Sequence, residues 1–243
     1  MDKLQKKFKQ QINSMVEISH RLAYLGYVAS HGGNISLRVD HDIILITPTK
    51  IAKRKITFND ICIVSRDGKI LFMPENRTPT GETPMHNRIY IKRPDINAVI
   101  HAHPPCLTGF AIAQSALLEL PLLPEPVLEL GPVLSINYEE PISEKLAQAV
   151  DTVITKSNAF LMNNHGAMIL SYEDLERAID LLEMAESMAQ SVCTAKILGK
   201  VNVISCEEII NLNNVLRKRA MPLPGKKDQF HSLEEVFNIK SGN

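Results

Sequence analysis

The sequence lacks an excess of charge of either sign: across 243 residues, Lys plus Arg number 27 and Asp plus Glu number 27. No global field therefore draws the chain toward nucleic acid or an anionic membrane. Cysteines are few and none form a C-x-x-C pair, Cys62, Cys106, Cys193 and Cys206 being far apart. That excludes a disulfide framework, and the thiols read as small buried or half-buried side chains in a reducing compartment. No stretch approaches the roughly 18 apolar residues of a membrane span. The first ten residues, MDKLQKKFKQ, are charged throughout where a signal peptide needs an apolar run. A cytoplasmic protein is the expectation. Internal repeats and Walker or dinucleotide glycine fingerprints are also missing. What is present is a chain 44% apolar and 22% charged, long enough to bury a full core in one sizeable domain.

Apolar residues recur at helical spacing from Leu4 to Leu25, with Gly26 placed to end the run as a left-handed cap. NISLRV, IILITP, ICIVS and KILFM follow as short strands, the last two around an Asp67-Gly68 turn. Glu82 to Lys92 reads as a helix that must stop before Pro94, and NAVIHAH as a buried strand running into Pro104-Pro105. Residues 126–136 are expected to form a strand, 142–156 a helix, and AFLMNNHG a strand closed by a turn at Gly166. Two amphipathic helices complete the pattern, Glu173 to Gly199 with Ser171 as its N-cap and Glu207 to Arg219. The hairpin signals predict one α/β domain on a mostly antiparallel sheet.

Chemistry concentrates in the histidines. Alternate residues of a strand share a face, so His101 and His103 present two imidazoles side by side. His165 closes another strand, with Gly166 permitting close backbone approach. Three neutral imidazoles leave an open coordination position, as in catalytic rather than structural zinc sites. Glu82 opens a helix after Pro79-Thr80-Gly81, where free N–H groups favour an anion. His86, four residues on, reads as a fourth ligand, a partner of Glu82 or a core histidine. The loops GGNIS, TPTK and TPTG read either as ordinary turns or as an anion nest.

The motifs GGNIS, ITPTK, PTGETPMH, NAVIHAHPP and NNHG, in this order and spacing, resemble the class II aldolase/adducin family over roughly Leu4 to Gly199. That resemblance implies a three-layer α/β/α domain over residues 1–220, a C-terminal tail over 221–243, and a homotetramer with active sites at subunit interfaces. It implies His101, His103 and His165 as ligands of one Zn²⁺ per subunit, or of another divalent transition metal, and Glu82 as the acid/base carboxylate. It places a substrate phosphate against Gly33, Asn34, Thr49, Lys50, Thr80 and Gly81. The implied activity is that of an aldolase acting on a small sugar phosphate through a metal-stabilised enediolate. An epimerase, dehydratase or decarboxylase of the same scaffold is the alternative, and a non-catalytic adducin-like interaction domain the third reading. Fuculose-type enzymes tend to carry glycine where this chain has Lys50 and a second serine where it has Gly81. They also use tyrosines as proton donors, one near the C-terminus, whereas the last tyrosine here is Tyr172 and LPEPVLELG supplies Glu125 and Glu129.

Overall fold

The computed structural model describes residues 2–239. The first helical run is two helices, α1 (Lys3–Lys7) and α2 (Lys9–Tyr24), separated at Phe8, which has φ −107° and ψ 29°. Hydrogen bonds from Phe8 N–H to Leu4 O and from Ile12 N–H to Phe8 O carry the spiral across, so the break is a kink that buries the Phe8 ring. Gly26, at φ +73°, ends α2 as expected, and Tyr27 N–H returns to Leu22 O at 3.0 Å, closing the cap.

Eight strands follow: β1 (Asn34–Asp40), β2 (Ile43–Ile46), β3 (Cys62–Ser65), β4 (Ile70–Phe72), β5 (Ala98–Ala102), β6 (Leu134–Ile136), β7 (Ala159–Met162) and β8 (Gly166–Ser171). They make one sheet in the order β4-β3-β2-β1-β5-β8-β7-β6, antiparallel at every pairing but β6 with β7. Strand alternation divides the core in two. Ile35, Leu37, Ile100, Ala102 and Ile169 face α2, α4 (Pro105–Ala113) and α6 (Leu175–Leu198). Ile44, Ile46, Val99, Met168 and Leu170 face α3 (Thr83–Lys92) and α5 (Glu144–Ala149). The result is a three-layer α/β/α sandwich on a mostly antiparallel sheet.

Four expectations need correction. Residues 126–136 are not one strand: 126–130 coil into a single π turn and only Leu134–Ile136 pairs. Pro126 cannot donate to a ladder, and Gly131 turns the chain at φ +80°. Val127 and Leu128 are apolar because they pack against Ile209, Leu216 and Leu233 of the C-terminal segment. The helix expected over 142–156 is α5 alone, capped by Ser143, plus a short 3-10 turn at Val150–Thr152. The cap of α6 is Asp174, whereas Ser171 Oγ accepts from Glu173 N–H. Finally, Gly166 does not end a strand but begins β8, and α4 starts at the second proline of Pro104-Pro105, where a missing N–H costs nothing. Toward the C-terminus, α7 (Cys206–Arg219) and α8 (Leu233–Val236) pack together. Gly225 O accepts from buried Arg93 and from Tyr172. Positions 240–243 of the expected tail lie outside the described residues.

Candidate active site

Strand register gathers the predicted residues. Asn34, the first residue of β1, is the direct cross-strand partner of His101, and the neighbouring pair Ala102–Ala167 places the start of β8 beside the end of β5. His103 lies just beyond β5, held by its N–H on Tyr27 O at 2.8 Å. His165 sits in the tight β7–β8 turn, where Asn164 adopts φ +56°, a left-handed conformation that asparagine tolerates. One ligand atom from each of His101, His103 and His165 lies within 4.8 Å of the others.

The rings are oriented for a shared ion. His101 Nδ1 lies 3.0 Å from Ala167 O, so that nitrogen carries the proton and Nε2 presents its lone pair. His101 Nε2 and His103 Nε2 are 3.1 Å apart, and two lone pairs at that distance need a cation or a proton between them. Ligands 2.0–2.1 Å from zinc in a tetrahedron are about 3.3 Å apart, so the pair already has the separation one ion imposes. His165 Nδ1 is buried without a hydrogen-bond partner. Burial, then His103 and His165, pushes His101 well below the usual imidazole range, and burial, then His165, lowers His103. Neutral rings are the ligand form. The donor set therefore fits a divalent cation.

Glu82 is the N-cap residue of α3 and is 6% exposed. Its Oε2 accepts from Asn34 Nδ2 at 2.8 Å and lies 3.7 Å from His101 Nε2, while Oε1 lies 3.6 Å from His165 Nε2. The carboxylate thus stands beside the histidines without displacing them.

The three loops are tied together at this end of the sheet. Ile35 N–H donates to Thr47 Oγ1 at 3.0 Å, Thr49 N–H to Thr78 O at 2.9 Å and Thr80 N–H to Thr47 O at 3.1 Å. Gly33 has φ +68°, and a Cβ there would stand 2.8 Å from His101 O. Exposed Lys50 adopts φ +57°, a conformation glycine holds without strain. At Gly81 a Cβ would meet Ile142 at 2.8 Å, so a serine would have to displace Ile142. Asn34's amide is already spent on Glu82 and His86. Glu129 pairs with Arg177 and Glu125 is exposed.

One residue escaped the sequence reading. Lys53 is fully buried, with His31 O at 3.4 Å and its amine pushed down to about 8 by burial. Its charge also opposes protonation of His101 and His103. Nothing in KIAKRK marks one lysine as internal, because burial of a 3-10 turn against α2 is a tertiary event. Gly166, expected from the sequence to permit a close backbone approach, does so: a Cβ there would clash with His103 Cδ2 and lie 2.6 Å from Ala102 O. Gly166→Ala is therefore expected to displace His103 and lower zinc affinity at least about tenfold, the scale seen when support of a ligand is lost, with far-UV circular dichroism unchanged. Chelator-competition titration measures this, and unaltered affinity would show that His103 needs no such clearance.

The three-layer sandwich is that of the class II aldolase fold. The chain belongs to the class II aldolase and adducin family: the family's "Class II Aldolase and Adducin N-terminal domain" matches residues 13–193. The chain is 33% identical over 179 residues to an L-fuculose phosphate aldolase of Methanococcus maripaludis, covering 74% of this chain and 94% of that protein. It is 26% identical over 209 residues to a 3-oxo-tetronate 4-phosphate decarboxylase of Haemophilus influenzae, covering 82% and 94%. A solved L-fuculose 1-phosphate aldolase superposes with a TM-score of 0.77 at 26% identity, covering 86% of this chain and 96% of that one. Aldolases and decarboxylases are both lyases. No helix among the described residues is long and apolar enough to cross a membrane.

Proposed function

We propose that this chain is a metal-dependent aldolase that makes or breaks a carbon–carbon bond in a small sugar phosphate, in the manner of the fuculose-phosphate aldolases it resembles. The observation that carries the reading is the convergence of His101, His103 and His165 with a buried carboxylate 3.6–3.7 Å from two of their nitrogens. One Zn²⁺ per subunit, held by the three histidines, would supply Lewis-acid stabilisation of negative charge developing on substrate oxygens. Glu82 takes and returns the proton at the carbon beside the substrate carbonyl. The loops around Gly33, Thr49, Lys50, Thr80 and Gly81 receive the phosphate, the Asn34 amide being engaged by Glu82 and His86 instead. The catalytic domain spans 1–220 with 221–243 as a tail, and the working assembly is a cytoplasmic homotetramer.

A phosphorylated ketose is then expected to be used at least about tenfold more efficiently than its unphosphorylated twin, since each charge-assisted hydrogen bond contributes about 1.5–3 kcal/mol. Thr49→Ala should erode that advantage and leave the unphosphorylated substrate nearly unaffected. Paired kcat/KM measurements decide it, and equal efficiencies would remove the phosphate assignment.

A decarboxylase is the second reading, favoured by the H. influenzae relative, whose match takes in 82% of this chain. Screening ketose phosphates and 3-oxo acid phosphates, with products followed by mass and NMR, separates the two: aldehyde release marks the aldolase and carbon dioxide the decarboxylase.

A further inference from the structure

Behind Glu82 runs a line of buried polar side chains. Asn34 and Ser36 share one face of β1, while Glu82, His86 and Tyr90 recur every four residues along the side of α3 that packs on it. Asn34 Nδ2 donates to Glu82 Oε2 at 2.8 Å, and Asn34 Oδ1 meets His86 Nε2. His86 Nδ1 meets Ser36 Oγ at 2.7 Å, and Ser36 Oγ meets Tyr90 OH at 2.8 Å. None of the five residues is more than 6% exposed.

Donor accounting gives this line one direction. An ionised carboxylate only accepts, so Asn34 must turn its NH₂ toward Glu82 and its Oδ1 toward His86. His86 Nε2 must then carry the proton. Burial drives the His86 imidazole down to about 4, so the ring is neutral and its Nδ1 can only accept. Ser36 spends its one proton there, and Ser36 Oγ accepts in turn from Tyr90, whose other neighbour, Asn97 O, is farther at 3.3 Å. Every donor in the series points toward Glu82. An asparagine amide without such a partner could flip and set its oxygen against the carboxylate.

We propose that His86 is a positioning residue for Glu82: backed by Ser36 and Tyr90, it locks the Asn34 amide so that Oε2 is held and Oε1 remains to move the proton. This rests on the reading of Glu82 as the proton carrier. A residue that merely filled the core would affect stability, not the split between turnover and binding.

The test compares His86→Leu, which removes both ring nitrogens, with His86→Gln, whose amide can again donate to Asn34 and accept from Ser36, in the zinc-loaded enzyme. His86→Leu is expected to lower kcat at least tenfold with KM and zinc content within twofold of wild type, and His86→Gln to restore most of the loss. Equal kcat in all three would overturn the role, as would equal losses in both variants. Should His86→Leu not fold, ¹⁵N-histidine NMR of the wild type decides independently of activity: a neutral Nε2–H tautomer is expected at pH 7, and an Nδ1–H tautomer or an imidazolium would overturn the proposal. Turnover retained in Glu82→Gln would remove the reading of Glu82 itself, whereas full turnover in His86→Leu beside an inactive Glu82→Gln removes only the positioning role.

Discussion

Glu82→Gln is expected to retain zinc while losing turnover by about 10²–10⁴-fold, the range that general acid–base groups contribute. The amide has nearly the shape of the carboxylate and occupies the same buried place at the start of α3, but it cannot take up a proton and release it. Nor can it accept everywhere: presenting NH₂ toward Asn34 Nδ2, it would oppose donor to donor, so its oxygen is expected to turn there and its NH₂ to face the histidines. Metal content by elemental analysis and single-turnover rates on the same preparation measure the two effects separately. If zinc disappears together with turnover, Glu82 is a ligand and the proton carrier lies elsewhere. Unaltered turnover would remove it from the chemistry altogether.

His103→Ala should behave in the opposite sense, losing metal and activity together. Removing a group that merely supports a ligand costs about 10–100-fold in affinity, so deleting the ligand itself is expected to cost more than a hundredfold. The fold should survive. His103 is half-buried beyond the end of β5 and belongs to neither principal apolar cluster, one packed beneath α2, α4 and α6 and the other beneath α3 and α5. Zinc titration against a competing chelator, thermal melting and activity at saturating zinc form the necessary set. Full zinc affinity with normal turnover would refute the assignment, and activity recovered only at high zinc would support it.

Which parts were readable beforehand follows from the range of the forces involved. His101-Ala102-His103 places two imidazoles on one face because strand periodicity is local, and the structure puts His101 in a strand with Nε2 facing His103. Glu82 at a helix start was readable from Pro79-Thr80-Gly81 for the same reason, and α3 begins one residue later. The stretch 126–136 misled because apolar side chains bound for a helical neighbour and those bound for a sheet look alike in a short run. Its partners, Ile209, Leu216 and Leu233, lie about 80 residues or more further on. The pocket departures at Lys50 and Gly81 were visible as substitutions. That Lys50 must adopt φ +57° and that Gly81 lies under Ile142 was not.

The sequence by itself determined the family, the alternating strands, the helix that Glu82 begins and the three histidines, because capping, periodicity and motif spacing act over a few residues. Only the tertiary structure decided the rest. It set Asn34 opposite His101 through strand register, pressed Gly166 against His103, buried Lys53 where its charge opposes protonation of His101 and His103, and aligned the side chains from Tyr90 to Glu82. Each of these joins residues from separate segments, and which donor meets which acceptor depends on how a helix and two strands pack, a long-range outcome that no local window contains.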